Sequence, residues 1–87
     1  MLFRSYKFYA EWCQPCKMLS KVIDDAKEKI DPSVEFVELD IDAEMMTAIN
    51  YNVRGVPTMV IVDENDKEVK RHTGVLMADG VENFIHQ

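Results

Sequence analysis

The sequence lacks any apolar run that approaches the roughly 18 residues needed to cross a membrane. Its first ten residues, MLFRSYKFYA, also lack the basic region, long apolar stretch and cleavage site of a secretory signal. The initial methionine argues against a leader that has already been removed. We therefore expect a cytoplasmic protein that does not bind membranes.

Basic residues are few. Ten Lys and Arg stand against sixteen Asp and Glu, which gives a net charge of -6 and a pI near 4.7. Nucleic-acid binding depends largely on Lys and Arg side chains that neutralise phosphates. An acidic protein is therefore a poor partner for nucleic acid or for an anionic membrane surface. We expect a monomer that binds neither.

Cysteine is scarce, since the chain contains only Cys13 and Cys16. A small secreted domain held by disulfides normally carries more cysteines, and a bridge between these two closes too short a loop to constrain the unfolded chain much. A tetrahedral metal site needs two further ligands, and His72 and His86 lack the close spacing of a zinc finger. Redox chemistry is the best interpretation of the pair, and we expect no metal.

The 87 residues suit one domain, residues 1–87, with one modest core. Hydrophobic periodicity predicts strands over 2–9, 34–40, 58–63 and 67–73, and helices over 14–30, 43–50 and 77–86. The nearly all-apolar third strand predicts burial on both faces, and the polar fourth strand predicts a sheet edge. The order βαβαββα predicts an α/β fold: a four-stranded mixed sheet with helices on both faces.

Helical spacing also predicts which side chains face the core. Asp42 is expected to cap the second helix at its N-terminus. The apolar pattern of the three helices predicts that the following side chains point inward: Met18, Leu19, Val22, Ile23, Ala26 and Ile30; Met45, Met46 and Ile49; and Met77, Val81, Phe84 and Ile85.

The cysteine pair stands where the predicted first strand passes into the first helix. N–H groups at a helix start lack internal partners, and together with the helix dipole they stabilise a thiolate at Cys13. Pro15 suits the first turn, where its missing N–H costs nothing. Cys16 lies one turn further. We expect an exposed attacking thiol at Cys13 and a shielded Cys16 that displaces the mixed disulfide.

Three segments together carry a resemblance to a known family: AEWCQPCKM, YNVRGVPT and HTGVL. In sequence and spacing they resemble the active-site segment, the cis-proline loop and the glycine-containing loop of the thioredoxin family. The resemblance covers nearly the whole chain. It implies a thioredoxin-like fold and a thiol–disulfide oxidoreductase that reduces protein disulfides, with Cys13 as nucleophile and Cys16 as resolving thiol.

The resemblance also implies a substrate groove. Pro57 is expected to be the cis-proline, although most X-Pro bonds are trans. Val56 is expected to pair through its main chain with an extended substrate. Trp12 either lines the groove or belongs to the core. The remaining groove residues implied are Gln14, Pro15, Gly74 and Val75.

Two departures from the family pattern leave alternatives open. Only twelve residues precede Cys13, so the family's additional N-terminal strand and helix are missing and the frame has glutaredoxin-like size. Gln14 replaces the usual glycine. The electron donor is expected to be a thioredoxin reductase or, in a glutaredoxin-like alternative, glutathione, although TGVLMADG lacks the tandem glycines of glutaredoxins. A non-catalytic binding module is a further alternative. No bound cofactor is expected.

Lys7 is a third departure, because it lies inside the apolar first strand. Thioredoxins typically carry a buried aspartate at the position matching Lys7 and a lysine at the position matching Glu38. A buried ion needs a partner, so we hypothesise a reversed ion pair between Lys7 and Glu38 beneath Cys16. Either Glu38 accepts the Cys16 proton or Lys7 favours the Cys16 thiolate by charge. Alternatively, the Lys7 stem lies along the sheet and its ammonium reaches water.

Overall fold

The structure is a computed structural model that describes residues 3–86. Its strands and helices follow the predicted order βαβαββα. The predicted start of the first strand, residue 2, lies outside the described residues. In chain order the elements are β1 (Arg4–Tyr9), α1 (Gln14–Ala26), a 3-10 turn (Lys27–Lys29), β2 (Glu35–Asp40), α2 (Met45–Asn50), β3 (Thr58–Val62), β4 (Glu68–Thr73) and α3 (Ala78–His86).

The four strands form one mixed sheet in the order β2-β1-β3-β4. β1 and β2 run parallel, as the crossover through α1 requires, and the pairs β1–β3 and β3–β4 are antiparallel. The register of the parallel pair sets Lys7 directly opposite Glu38. The predicted fold class is thereby confirmed, with β4 at the edge.

The helices cover both faces of the sheet. α1 and α3 lie on one face, where Leu19, Ile23 and Val81 pack against Met59 of β3. α2 lies on the other face, where Ala48 packs against the fully buried Phe8 and its β3 neighbours. β3 is buried along its whole length, as its apolar sequence predicted. Because side chains alternate along β1, Phe8 points towards the α2 face while Lys7 points towards α1.

Four of the residues predicted to point inward from α1 and α2 are exposed, and three of them are methionines. Met18 is 59% exposed because it lies beside, not on, the α1 stripe that buries Leu19 and Ile23. Met45 and Met46 are 59% and 68% exposed, because the short α2 contacts the sheet mainly through one buried residue.

Ile49, Met77 and Asp42 also differ from expectation. Ile49 lies on the open side of α2 and is 60% exposed. Met77 is 72% exposed because it precedes the start of α3 instead of lying within it. Asp42 does not cap α2, which begins later, at Met45; the main-chain N–H of Asp42 instead donates to Asp40 Oδ1 at 2.9 Å.

Candidate active site

Cys13 lies between β1 and α1, in extended backbone with φ −94° and ψ 106°. Its main-chain N–H donates to the Ala10 carbonyl at 3.1 Å. Its Sγ caps α1 by accepting the main-chain N–H of Cys16 at 3.1 Å, and Pro15 occupies the first turn. The strand–helix junction expected from the sequence is therefore present, and it places the Cys13 sulfur at the positive end of the helix dipole.

The two cysteines form a disulfide, with Cα atoms 5.3 Å apart. Cys13 is 4% exposed and Cys16 is 2% exposed. The predicted contrast between an exposed Cys13 and a shielded Cys16 is therefore wrong for this disulfide form. The bonded sulfurs share one buried cluster with Ala10, against which the half-buried Val56 packs.

Three residues beside the cysteines face solvent. Trp12 is 69% exposed, which excludes the alternative in which it is a core residue. Gln14 and Pro15, between the cysteines, are also exposed. An exposed tryptophan next to a buried disulfide leaves apolar surface available to a bound partner.

The loop before β3 and the loop after β4 lie next to each other and are joined by a hydrogen bond. The peptide bond between Val56 and Pro57 is cis. Pro57 is buried, and its carbonyl accepts the Gly74 main-chain N–H at 2.9 Å. Gly74 has a φ of 111°, a conformation that a side chain would disfavour. The loop before β3 therefore contacts the cysteine cluster through Val56 and is hydrogen-bonded to the loop after β4. Val75, in contrast, packs against the core on the α1–α3 face.

Lys7 lies beneath α1 with its side chain only 4% exposed. Its Nζ is 3.4 Å from Glu38 Oε1, donates a hydrogen bond to Ser20 Oγ, and lies 5.5 Å from the centre of the Tyr9 ring. The ion pair hypothesised from the sequence is present. The alternative, in which the ammonium reaches water, is wrong because the side chain is buried.

Ser20 is the residue that the sequence analysis missed. Its Oγ accepts from Lys7 and lies 3.5 Å from Glu38 Oε1. Lys7, Ser20 and Glu38 line a cavity of about 140 Å³ together with Cys16 and Tyr9. The available signal was position: Ser20 follows Cys16 by four residues and so shares its face of α1.

Tyr9 contributes a neutral phenol to the cavity. Partial burial raises the pKa of Tyr9 above its ordinary value, and the negative charges of Asp40, Glu11 and Glu38 raise it further. The phenol therefore remains protonated at neutral pH, and Tyr9 adds no negative charge beside Cys16.

The histidines lie away from the cysteines. His72 packs against Phe84 with ring centroids 6.1 Å apart, and His86 Nε2 accepts the Asp31 main-chain N–H at 3.3 Å. Across residues 3–86, no group of three or more His, Cys, Asp or Glu side chains is arranged to hold a metal ion. Within that same range, no helix has the length and apolar character to cross a membrane.

Comparison with known proteins places this geometry in a family. The sequence profile described as Thioredoxin matches residues 6–87. A thioredoxin of Haemophilus influenzae is 32% identical over 80 residues, covering 92% of this chain and 74% of the relative. A thioredoxin of Borreliella burgdorferi is 36% identical over 78 residues, covering 90% of this chain and 66% of the relative. The chain thus spans about two thirds to three quarters of the length of these relatives.

A solved structure agrees with the sequence relatives. A mutant thioredoxin from Halobacterium salinarum superimposes with a TM-score of 0.83 at 31% identity, covering 95% of this chain and 71% of that one. The chain belongs to the thioredoxin family, and its cysteine pair makes it a thioredoxin-like thiol–disulfide oxidoreductase.

Proposed function

We propose that this protein reduces disulfides in other proteins, with Cys13 as the attacking thiolate and Cys16 as the resolving thiol. One observation carries the assignment: Cys13 Sγ is the N-cap of α1 and already accepts the Cys16 main-chain N–H at 3.1 Å. That donor and the helix dipole favour negative charge on Cys13 once the disulfide is reduced. Cys16 lies one turn inside the helix and has no such position.

The reaction is a two-step thiol–disulfide exchange. The Cys13 thiolate attacks one sulfur of the substrate disulfide, which forms a mixed disulfide and releases the first substrate thiolate. Cys16 loses its proton and attacks Cys13 Sγ. The Cys13–Cys16 bond then forms, the bond between Cys13 and the substrate breaks, and the second substrate thiolate leaves and takes up a proton. Two electrons pass from the cysteine pair to the substrate.

Substrate recognition is assigned to the surface around the disulfide. The exposed Trp12, Gln14 and Pro15 flank the cysteines on one side. On the other side, the Val56–Pro57 segment offers main-chain groups with which an extended substrate can pair, largely independently of its sequence. We assign Gly74 to the same groove because its N–H donates to the Pro57 carbonyl, and Val75 because it follows directly and is only half-buried against the core.

The wider setting is part of the same proposal. The chain acts as a single domain and a monomer in the cytoplasm, needs no cofactor beyond its cysteines, and binds neither nucleic acid nor membrane. Its oxidised form is returned to the dithiol by an electron donor. A thioredoxin reductase fits the family, and glutathione is the alternative donor.

Insulin reduction tests the proposal. With a chemical dithiol as the electron source, wild type should accelerate reduction of the insulin disulfides, and Cys13→Ser should abolish the acceleration. Met18→Ser is the matched control, because it changes a neighbouring exposed side chain of α1 and leaves both cysteine thiols in place. Equal turnover by wild type and Cys13→Ser would eliminate the dithiol mechanism and favour the binding-module alternative.

A second arm of the same assay identifies the donor. The chemical dithiol is replaced either by NADPH with a thioredoxin reductase or by glutathione at matched reducing power. We expect sustained turnover with the reductase. Turnover with glutathione alone would assign the chain to the glutaredoxin-like alternative.

A further inference from the structure

Lys7 is a buried cation that the packing of the fold does not require. It lies on β1 opposite the fully buried Met59 of β3, and its own side chain is 4% exposed. Burying an ammonium removes its hydration, and an ion pair compensates only partly. Its partner Glu38 is itself 59% exposed, which weakens the attraction further. An apolar residue would suit this position, so the lysine needs an explanation other than stability.

The surroundings of Lys7 direct its charge towards Cys16. Lys7 Nζ donates to Ser20 Oγ, and Ser20 follows Cys16 by four residues on the same face of α1. Lys7, Ser20 and Cys16 line one cavity of about 140 Å³. The ammonium therefore lies at the wall of the cavity that the resolving cysteine also lines.

We propose that Lys7 promotes the resolving step by stabilising the Cys16 thiolate through its charge, with Ser20 as the positioning residue that fixes the ammonium. The inference rests on the proposed function, in which Cys16 attacks the mixed disulfide at Cys13. The proton of Cys16 leaves to water, and the resulting thiolate is the species that attacks. The bonds formed and broken are those of the second exchange step described above.

The geometry favours this charge effect over proton transfer to Glu38. Glu38 Oε1 already lies 3.4 Å from the Lys7 ammonium and 3.5 Å from Ser20 Oγ, and its side chain is largely in water. In model peptides a carboxylate binds a proton about 10⁴-fold more weakly than a thiolate. A cation strengthens the ionisation of a nearby thiol without any proton transfer to a carboxylate.

Other charged or titratable groups also face the cavity. They are Tyr9 on β1, Glu11 in the following loop, Lys17 on α1 and Glu38 on β2. Tyr9 is neutral at working pH, and Lys17 and Glu11 are exposed and screened by water. Lys7 is the buried charge among them, which makes it the dominant influence on Cys16.

The size of the effect follows from the exchange chemistry. A cation close to an acidic group lowers the pH of its ionisation by about one unit or more, which raises the thiolate fraction about tenfold at neutral pH. The thiolate also becomes less nucleophilic as its basicity falls, which lowers its rate of attack about threefold. The net expectation is that Lys7 accelerates the resolving step about threefold near neutrality.

The direct test titrates Cys16 as the only thiol. In a Cys13→Ser background, the ultraviolet absorbance of the thiolate is followed against pH, with and without Lys7→Met. We expect Lys7→Met to move the ionisation midpoint upward by about one pH unit. Lys7→Arg should restore most of the shift, because it keeps the charge. Lys21→Met is the matched control, since Lys21 is an exposed residue of α1. Equal midpoints for Lys7→Met and Lys21→Met would overturn the inference.

A rate measurement separates the charge effect from proton transfer. In the protein with both cysteines, a chromogenic disulfide reports release of the second thiolate from the mixed disulfide at Cys13. Glu38→Gln removes the charge that offsets Lys7, so the resolving rate near neutrality should rise. Because the Glu38 side chain is largely exposed, this variant still tests the inference if Lys7→Met fails to fold. A fall in that rate would overturn the inference and assign the proton to Glu38.

The positioning role of Ser20 has its own readout. Ser20→Ala keeps the Lys7 charge but removes the oxygen that holds it, so the Cys16 midpoint should rise by less than in Lys7→Met. An unchanged midpoint would remove Ser20 from the account. Failure of the proposed function looks different: wild type would then release no second thiolate and would not reduce insulin, whatever the midpoint of Cys16.

Discussion

The coupling between Lys7 and Glu38 can be measured as a stability difference. At the observed separation of 3.4 Å, the Coulomb attraction is about 1 kcal/mol in water and about 5 kcal/mol at an effective dielectric constant of 20. Because the Glu38 side chain is 59% exposed, the lower end applies. We expect Glu38→Gln to lower the free energy of unfolding by about 1 kcal/mol, since it removes the negative charge that faces the buried Lys7 ammonium.

The reverse substitution should behave differently. Lys7→Met replaces a buried cation with an apolar chain of similar length, and the released Glu38 carboxylate can turn into water. Such replacements are often neutral or stabilising. We expect Lys7→Met to leave the free energy of unfolding unchanged or to raise it by about 1 kcal/mol. In the Lys7→Met background, Glu38→Gln should then lower the free energy of unfolding by less than about 0.3 kcal/mol.

A double-mutant cycle by urea denaturation completes the test, with every variant kept in the disulfide form. The expected coupling is about 1 kcal/mol. Lys27 and Asp24 supply a matched control, because their charged atoms are also 3.4 Å apart but both side chains are exposed. The coupling of that surface pair should lie below about 0.5 kcal/mol. Equal coupling in the two pairs would refute the expectation that a pair with one buried member is coupled more strongly than a fully exposed pair.

Two further predictions concern other parts of the sheet. The hydrogen bond from Arg71 holds the pKa of Glu68 below its usual range. The stabilisation that this hydrogen bond gives the folded protein is therefore fully present above the ordinary carboxyl pKa. It is lost as the pH falls through the lowered pKa of Glu68 in the folded protein. Thermal unfolding across acid pH should show a smaller acid-side loss in Glu68→Gln than in wild type, and identical pH profiles would contradict this. Gly74→Ala should cost about 1–3 kcal/mol by urea denaturation because φ is 111°, whereas Gly55→Ala, without a positive φ, should cost less; equal costs would contradict the backbone argument.

Much of the fold was predictable because the strands differ clearly in pattern. TMVIV is apolar on both faces and became the fully buried β3, whereas the polar sequence of β4 became the sheet edge. The reversed ion pair was also predictable. A charge inside an apolar strand needs a partner, and parallel pairing set Glu38 opposite Lys7.

The exposed methionines were not predictable from spacing alone. Apolar periodicity identifies one face of a helix but does not establish whether another element covers that face. In α2, which has only six residues, Ala48 alone is buried, so Met45 and Met46 remain in contact with solvent.

Two features of the site were hidden for other reasons. The position of Ser20 four residues after Cys16 was the only signal in the sequence, and its hydrogen bond with Lys7 became visible only in the structure. The buried Cys13 belongs to the disulfide form, in which its sulfur lies in one cluster with Cys16. A sequence does not specify which redox form is observed.

The central claim is that Cys13 attacks the substrate and Cys16 resolves the intermediate, and trapping the mixed disulfide tests it most directly. Cys16→Ser and Cys13→Ser are each incubated with a disulfide-containing protein substrate, and the trapped adducts are mapped by mass spectrometry. We expect a stable adduct through Cys13 in Cys16→Ser and little or none in Cys13→Ser. Equal trapping by the two variants, or faster trapping through Cys16, would contradict it.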